Sequence, residues 1–459
     1  MTRLARGRPV HHSMHRRGEA QGKVLLPLRI PPHHATTLNL QALFPFVVDS
    51  TLGSRGVYVG RQTGSAASFV FDPWEHYAGG AVTNPNILLA GVIGRGKSAL
   101  AKSMALRMSA FGVRVYVPGD PKGEWGPVAR AVGVDPIVLG RGMPARINPL
   151  DPGPRPADID DEQWAREVLA RRHWLLGSLA ETALERRLQP VERSALLMAL
   201  ETVTPKSPRQ HAAPAVMPEV VQALIAPAAV AAETLNMSTR ELTTESRNLA
   251  LELRRLVVGD LAGLFDGPTT QPLDFAAPIQ VLDTSRLSGD DTAIALLMTC
   301  ASAWMESALT DPHAGRRLVV YDEAWRMLRH LPLVRRMQAQ WKLSRALGVA
   351  NVAVVHRISD LGAVGSTGSE AVALAQGLLA DCSTRIVYAQ ESDQVPATEA
   401  ALGLTDVEAD QLIHLPRGRG LWKIGRHSAI VDHILGQHEH AIVDTDARMR
   451  NNPDGFAAR

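Results

Sequence analysis

The chemistry most clearly encoded in the sequence is that of a phosphate-binding loop at residues 91–98, GVIGRGKS. The stretch matches G-x-x-x-x-G-K-[ST], in which glycines let successive backbone N–H groups converge on phosphate oxygens. In this pattern a lysine reaches the β- and γ-phosphates, and a serine hydroxyl binds Mg²⁺. We therefore expect ATP and Mg²⁺ as ligands. The residues expected to contact the nucleotide are Gly91, Val92, Ile93, Gly94, Arg95, Gly96, Lys97 and Ser98.

A second motif, RRLVVYDEAW at residues 316–325, ends an apolar strand in two acidic residues. Asp322 is expected in the Mg²⁺ shell together with Ser98, and Glu323 is expected to polarise the attacking water. Alone, an apolar strand followed by two acids is more often a solvated strand end. The phosphate-binding loop favours the functional interpretation, and a carboxylate directly after Asp322 argues for hydrolysis over nucleotide sensing.

Two further strand ends carry polar residues that could act at the same site. DPKGEW follows the second core strand, so Asp120 and Glu124 are expected near the phosphates, because neighbouring parallel strands end at one crevice. The alternative is an ordinary turn with a Lys–Glu surface pair. His356 ends the apolar run VAVVH and is a candidate sensor of the γ-phosphate or its water, although a lone histidine is also compatible with a structural role.

Ring-forming ATPases need a further positive charge, which a neighbouring subunit donates to stabilise the transition state. Arg385, at the start of a strand, and Arg426, in KIGRH, are candidates for this role. Many other arginines compete for the same assignment, so the sequence leaves the choice among them open.

The motifs alternate with elements that indicate an α/β fold with a central, mostly parallel sheet. NILLA leads into the Gly-rich loop, which opens a helix ending near Gly112. Residues 160–260 show helical periods and almost no strand pattern, which predicts an inserted all-helical subdomain. The other predicted core strands are VRVYV (113–117), PIVLG (136–140), IQVLD (279–283), RLVVYD (317–322), VAVVH (352–356), RIVYAQ (385–390) and LWKIG (421–425).

These patterns divide the chain into five parts. Residues 1–37 form a basic arm, which we interpret as flexible, with phosphate or lipid contact as the alternative. Residues 38–159 hold a small β element and the first part of the ATPase core, 160–260 the helical insertion, 261–445 the second part of the core, and 446–459 a flexible tail.

Composition places the chain among large globular proteins of a reducing compartment. Of 459 residues, 45% are hydrophobic and 21% charged, and the net charge of +3 carries no signature of polyanion binding. Cys300 and Cys382 lie far apart in apolar stretches, without disulfide or metal spacing.

The longest apolar run, 293–305, is shorter than the ~20 residues that span a bilayer, so it predicts a buried helix. We expect a cytoplasmic protein without an integral membrane span, and docking at the inner face of the cell membrane remains open.

Taken together, the motifs resemble those of the cytoplasmic energising ATPases of conjugation and type IV secretion systems, the VirB/TraC type. The likeness covers about residues 38–435 and includes FPF (44–46), the phosphate loop, DPKGEWGPVARAVG, RINPLD, GLFDGPT, IQVLDTSRL, VVYDEAW and GLWKIGR, in that order. It implies a RecA-like P-loop NTPase core of the FtsK/HerA-like branch and a ring, usually a hexamer. It also implies that ATP turnover drives substrate transfer or pilus assembly at an inner-membrane channel. The chain departs from the family at His356, where a glutamine is usual, and at Ile93-Gly94-Arg95.

The sequence is therefore compatible with three functions. The leading one is an ATP-hydrolysing motor that acts on protein partners of a conjugation or secretion machine. The second is a DNA-translocating ATPase of the coupling type, with DNA as the transported substrate, which salt-sensitive stimulation of hydrolysis by DNA would distinguish. The third is a nucleotide-binding assembly scaffold with little turnover, against which the intact Lys97, Ser98, Asp322 and Glu323 argue.

Overall fold

A computed structural model describes the part of the chain that carries the predicted core. It covers residues 55–65, 67–153, 155, 159–204, 214–259, 261–287, 289–309, 315–359 and 370–444, which all belong to one compact unit. The predicted basic arm at 1–37, the FPF motif and the tail at 446–459 lie outside the described residues.

One sheet of eleven strands, in the order β2-β1-β11-β10-β9-β3-β8-β7-β4-β6-β5, organises the described residues. The strands from β9 to β5 in this order run parallel, and β10, β11, β1 and β2 extend the sheet in antiparallel fashion. The strands are β1 (Val57–Gln62), β2 (Ser68–Phe71), β3 (Ile87–Ala90), β4 (Arg114–Asp120), β5 (Ile137–Val138), β6 (Ile279–Asp283), β7 (Arg317–Tyr321), β8 (Val349–Val355), β9 (Thr384–Val387), β10 (Arg419–Ile424) and β11 (His427–His433).

Helices cover both faces of this sheet, and none in the described part of the chain is long and apolar enough to cross a bilayer. They are α1 (Pro73–Ala78), α2 (Lys97–Ala110), α3 (Gly126–Ala131), α4 (Asp161–Leu184), α5 (Pro190–Val203), α6 (Met217–Ile225), α7 (Ala229–Thr234), α8 (Thr239–Glu245), α9 (Arg247–Val258), α10 (Asp291–Leu309), α11 (Ala324–Leu328), α12 (Leu331–Leu347), α13 (Glu370–Ala380), α14 (Val395–Leu402), α15 (Asp406–His414) and α16 (Gln437–Val443).

The central strands are apolar along their whole length because both faces of the sheet are covered. Every residue of β3, β7 and β8 is buried, as expected of parallel strands between two helical layers. Alternate residues enter different cores: Ile87 and Leu89 pack with α2, whereas Leu88 and Ala90 pack with the core that contains α4 to α10. The apolar run at 293–305 falls within α10, and its described side chains up to Ser302 are buried.

The helices from α4 to α9 follow one another without an intervening strand in the described residues between 161 and 258. Ser238 and Glu241 form the capping box that opens α8, and Gly259 follows the end of α9. Leu242 lies on α8 and Leu249, Leu253 and Leu256 lie on α9, because the chain turns at Ser246 between the two helices. Their buried leucines join the core beneath the sheet.

Strand order determines which loops meet at the carboxyl edge of the sheet. β3, which precedes the phosphate loop, lies between β9 and β8, and β7 lies next to β8. Ala90 is paired with Val355 and with Val387, while Tyr321 is paired with Ala353. The residues that follow β3, β7 and β8 therefore emerge side by side at one edge.

Candidate active site

The loop between β3 and α2 adopts a conformation that requires its glycines. Gly91, Gly94 and Gly96 have φ angles of 148°, 78° and 106°, in the region where side chains are strained. At Gly91 space is also limiting, because a Cβ would lie 2.6 Å from Cβ of Tyr388. Gly96 caps α2, so the positive end of this helix faces the loop, as anion-binding helix termini do.

Lys97, the first residue of α2, lies folded into this loop. Its Nζ donates hydrogen bonds to Gly91 O and, at 2.9 Å, to Val92 O, and the residue is only 4% exposed. Burial lowers the pKa of Lys97 to about 8, against the opposing effect of the carboxylates of Glu323 and Asp322. The two motifs that are far apart in sequence thus lie within electrostatic reach of each other.

Asp322 follows β7 and is buried against the loop after β4. Its Oδ2 accepts a hydrogen bond of 3.0 Å from Nε1 of Trp125, and its Oδ1 accepts one of 3.1 Å from the backbone N–H of Glu323. Burial raises the pKa of Asp322, while Trp125 and the nearby Lys102 counteract this rise. The carboxylate is therefore held in a fixed orientation beside a buried positive charge.

Glu323 is surrounded by hydrogen-bond donors. Nε2 of His356 lies 3.0 Å from both carboxylate oxygens, Nε1 of Trp325 donates to Oε2 at 2.6 Å, and Nζ of Lys122 forms an ion pair with Oε1. Burial alone would raise the pKa of Glu323, but the contacts with His356 and Lys122 outweigh it and lower the pKa to about 2. Glu323 is thus a permanent carboxylate in this arrangement.

The DPKGEW loop is more than an ordinary turn. Asp120 accepts hydrogen bonds from the backbone N–H groups of Lys122 at 3.3 Å and Trp125 at 2.7 Å. Burial raises the pKa of Asp120 to about 6. The expected alternative, a Lys–Glu surface pair within the loop, is not what forms. Lys122 pairs with Glu323 instead, and Glu124 pairs at 2.9 Å with Lys102, a lysine on α2 that has no exposed surface.

A cavity of about 670 Å³ opens over the phosphate loop, within the usual size range of small-molecule sites. Glycines of the loop, Lys97, Ser98, Lys122, Glu124 and His356 line one side. The opposite wall was not foreseen from the sequence, since no nucleotide contact was predicted just before β10, at the end of β11 or on α16. Its residues are Arg417, Gly418, His433, Ile434, Leu435, His440, Val443 and Asp444.

The arginine candidates lie at the opposite edge of the sheet from this cavity. Arg385 is paired with Leu88 in β3, before the loop, and its guanidinium donates to Leu402 O at 2.5 Å and Cys382 O at 3.3 Å. Arg426 lies in the turn after Ile424, which is paired with Thr384. The chain therefore does not bring either arginine to its own phosphate loop, and an action across a subunit boundary stays a prediction.

The residues around the loop fit Mg²⁺ that arrives with a nucleotide. Ser98 and Asp322 offer oxygen donors, the type that Mg²⁺ prefers. No cluster of three or more His, Cys, Asp and Glu side chains that could hold a metal occurs among the described residues. Mg²⁺ commonly takes one or two protein ligands and completes its shell with phosphates and water, so a sparse protein shell is sufficient.

Comparison with solved structures identifies the fold. The chain is similar to VirB4 of Thermoanaerobacter pseudethanolicus, with a TM-score of 0.67 and 22% identity over 85% of this chain and 99% of that one. It is also similar to the bacterial conjugative coupling protein TrwB, with a TM-score of 0.55 and 16% identity over 83% and 90% of the two chains. TrwB in complex with ADP and Mg²⁺ gives a TM-score of 0.53, 15% identity and coverages of 83% and 91%.

No protein-family model and no curated protein matches the sequence. At these low identities the likeness establishes the fold alone: an α/β fold with a mostly parallel central sheet, shared with VirB4 and TrwB. The predicted fold class and the resemblance stated from the motifs are thereby confirmed at the level of structure.

Proposed function

We propose that this chain is an ATP-hydrolysing motor that energises a conjugation or type IV secretion machine. The observation that supports hydrolysis most directly is the meeting of two motifs: the carboxylates of Asp322 and Glu323 act on the pKa of Lys97 in the phosphate loop. Lys122 and His356 link the two motifs physically, because both line the cavity and both contact Glu323. The likeness to VirB4 supports the assignment to a secretion or conjugation machine.

Binding of ATP would rest on the loop. Backbone N–H groups between Gly91 and Ser98 would surround the phosphates, and Lys97 would exchange its two loop carbonyls for phosphate oxygens. Ser98 and Asp322 would hold Mg²⁺, which neutralises charge on the β- and γ-phosphates. The wall formed by β11 and α16 would enclose the nucleoside part of the substrate.

Hydrolysis would use Glu323 as the proton acceptor. A water oxygen forms a bond to the γ-phosphorus while the bond from this phosphorus to the β–γ bridging oxygen breaks, and that electron pair stays on ADP. Glu323 takes the proton of the water and then releases it to solvent. His356 holds the carboxylate at both oxygens, so it would orient the base rather than donate a proton to the phosphate.

Replacement of Lys97 tests the phosphate site. We expect Lys97→Ala to abolish ATP binding or turnover, because it removes the charge that faces the phosphates. Fluorescent ATP titration and phosphate release would measure both, with Lys342→Ala, an exposed position on α12, as the matched control. Normal hydrolysis by Lys97→Ala would show that the site is assigned wrongly.

Replacement of Glu323 tests the chemical step. Glu323→Gln keeps the size of the side chain but lowers its basicity and replaces one of its two acceptor oxygens by an NH₂ group. We expect nucleotide binding to persist while kcat falls by about 10²–10⁴-fold, the usual contribution of a general base. Single-turnover phosphate release together with nucleotide titration separates the two effects. An equal loss of binding would make Glu323 a structural residue.

The assembly we propose is a homo-oligomeric ring, a hexamer, in which Arg385 or Arg426 of one subunit approaches the nucleotide of the next. The ring would be cytoplasmic and would dock on channel proteins of the inner membrane. Light scattering of Glu323→Gln with and without ATP tests the ring, since nucleotide trapped at a subunit boundary should stabilise it. Loss of hydrolysis but not of binding in Arg385→Ala or Arg426→Ala would identify the arginine that acts in trans.

A DNA-translocating role is the second candidate, and the likeness to the coupling protein TrwB favours it. Contacts with DNA phosphates release counterions, so stimulation of hydrolysis by DNA should weaken steeply as salt rises. If DNA does not stimulate hydrolysis at low or high salt, the result favours a motor that acts on protein partners. A chain that binds ATP but hardly hydrolyses it would instead support an assembly scaffold.

A further inference from the structure

Lys122 lies between the cavity and the proposed catalytic base. Its backbone is fixed, because Asp120 accepts its N–H and the neighbouring Trp125 is bound to both Asp120 and Asp322. Its side chain is 40% exposed, in contrast to the 4% of its partner Glu323. A fixed backbone with a flexible four-carbon stem lets the ammonium group reach more than one acceptor.

The ion pair of Lys122 takes up hydrogen-bonding capacity that Glu323 needs for catalysis. Lys122 and His356 contact Oε1, while His356 and Trp325 contact Oε2. Each carboxylate oxygen offers about two lone-pair sites, and the one Nε2–H of His356 is shared between the two oxygens, so three donors take up most of the capacity of a carboxylate that is only 4% exposed. Departure of one donor would open a position beside this enclosed carboxylate for the water that gives its proton to Glu323.

Lys122 is the donor best placed to leave. Lys122 and His356 both line the cavity over the phosphate loop, whereas Trp325 does not. The side chain of Lys122 is 40% exposed and that of His356 only 18%, so the lysine has more freedom to turn towards a bound phosphate. A terminal phosphate carries roughly two negative charges near neutral pH and competes well with a single carboxylate. Glu323 would keep its contacts with His356 and Trp325 after the exchange.

We propose that Lys122 senses the γ-phosphate: with a nucleoside triphosphate in the cavity its ammonium moves from Glu323 Oε1 to a γ-phosphate oxygen and frees that carboxylate oxygen for water. With a diphosphate, Lys122 stays on Glu323 and the base remains blocked. The inference rests on the proposed function and adds to it a residue that couples the arrival of the third phosphate to activation of the base.

The first test is the preference for triphosphate over diphosphate. Titrations with a non-hydrolysable ATP analogue and with ADP give this ratio for the wild type and Lys122→Met. We expect the ratio to fall by about tenfold or more, the scale of one charge-assisted hydrogen bond, with ADP affinity unchanged. The triphosphate preference, rather than kcat, is the readout, because Met leaves Glu323 unblocked with either nucleotide. Lys122→Arg should retain most of the preference, and Lys342→Met, on the exposed face of α12, should behave as the wild type.

The second test is a double-mutant cycle for the exchange itself. If the triphosphate must draw Lys122 away from Glu323, then Glu323→Gln, which weakens that ion pair, should bind the ATP analogue more tightly than the wild type. In the Lys122→Met background, adding Glu323→Gln should give no such gain in affinity for the ATP analogue, because the two side chains are then no longer coupled. A gain that persists without Lys122, or no gain at all, overturns the proposal.

The outcomes separate this proposal from the proposed function. If the wild type hydrolyses ATP and Lys122→Met keeps the triphosphate preference, the sensing role is wrong while the ATPase stands. Equal weakening of ADP and ATP-analogue binding in Lys122→Met also overturns it, because Lys122 would then be a uniform phosphate contact. A wild-type chain that binds no nucleotide refutes both.

Discussion

Glu323 is strained as well as enclosed. Its φ of 55° lies in the left-handed region, which few non-glycine residues adopt and which costs about 1–2 kcal/mol for a residue with a Cβ. The contacts from His356, Trp325 and Lys122 hold it there. Strain of this kind persists where the surroundings over-determine a functional side chain, which agrees with the role proposed for Glu323.

His433 makes the stability of the fold depend on pH. Burial, with Arg107 and His440 nearby, lowers the pKa of His433 to about 4, although Glu439 opposes this. The folded chain keeps the ring neutral, whereas the unfolded chain protonates it below its ordinary pKa of 6.5. The stabilisation is therefore complete above that value and declines as pH falls towards about 4.

We therefore expect His433→Phe to lose less stability than the wild type as the solution is acidified through this interval. Urea denaturation at several pH values, without nucleotide, measures the difference. His414→Phe, at an exposed position on α15, is the control and should follow the wild type. Parallel curves for wild type and His433→Phe would show that His433 has the same pKa in the folded and the unfolded chain.

At the scale of elements, Arg107 on α2 fastens α16 to the helix that follows the phosphate loop. Its Nε donates to Glu439 Oε1 at 2.7 Å, its Nη2 donates to Glu439 Oε2 and, at 2.7 Å, to Ile434 O, and its Nη1 reaches Tyr58 O. Glu439 also accepts at 2.7 Å from the N–H of Gly436, which caps α16. One pair of side chains thus positions an entire wall of the cavity.

Weakening this pair should reduce nucleotide affinity more than the rate of hydrolysis. Glu439→Gln removes the charge and replaces one of the two acceptor oxygens by an NH₂ donor. We therefore expect KM for ATP to rise several-fold, roughly the effect of losing 1 kcal/mol, with kcat almost unchanged. Steady-state kinetics would show this, with Glu245→Gln, exposed on α8, as the control. A fall in kcat at constant KM would place the effect at the chemistry instead.

The sequence predicts the elements that carry strong patterns and misses those that depend on contacts between distant segments. Apolar strands ending in Gly91, Asp322 and His356 could be recognised because burial on both faces and a chemical motif coincide. Lys102 could not be predicted as buried, since lysines are almost always exposed unless paired. Its partner Glu124, like the partner of Lys122, follows from strand order and not from local sequence.

At the scale of the whole molecule, the helices between α4 and α9 share their core with the sheet. Leu179 in α4 and Leu253 in α9 belong to the same buried cluster as Leu88 in β3 and Val319 in β7. Arg172 in α4 also donates to Leu150 O at 2.6 Å, which joins the insertion to the segment before it. The boundaries of a separate helical insertion, at residues 160 and 260, stay a prediction from the sequence. The shared core favours one unit that unfolds cooperatively.

We therefore expect the insertion and the ATPase core to unfold together. Calorimetry should give one transition whose calorimetric and van't Hoff enthalpies agree, and hydrogen exchange should give similar protection in α9 and in β3. Leu253→Ala, which opens a cavity in the shared core, should lower the midpoint of the whole transition at a cost of about 2–5 kcal/mol. Two separable transitions, only one of them shifted, would mark the insertion as an independent domain.

The antiparallel extension of the sheet has a mechanical consequence. Gly60 in β1 is paired with His433 at the end of β11. A Cβ at Gly60 would lie 1.8 Å from Asp432 O, so the two strands are in close contact there and only glycine fits. Tension on β1 would therefore reach His433, which lines the cavity over the phosphate loop, through the three paired positions that join β1 to β11. By reciprocity, if displacement of β1 changes the affinity for a ligand in that cavity, the bound ligand changes the free energy of displacing β1 by the same amount.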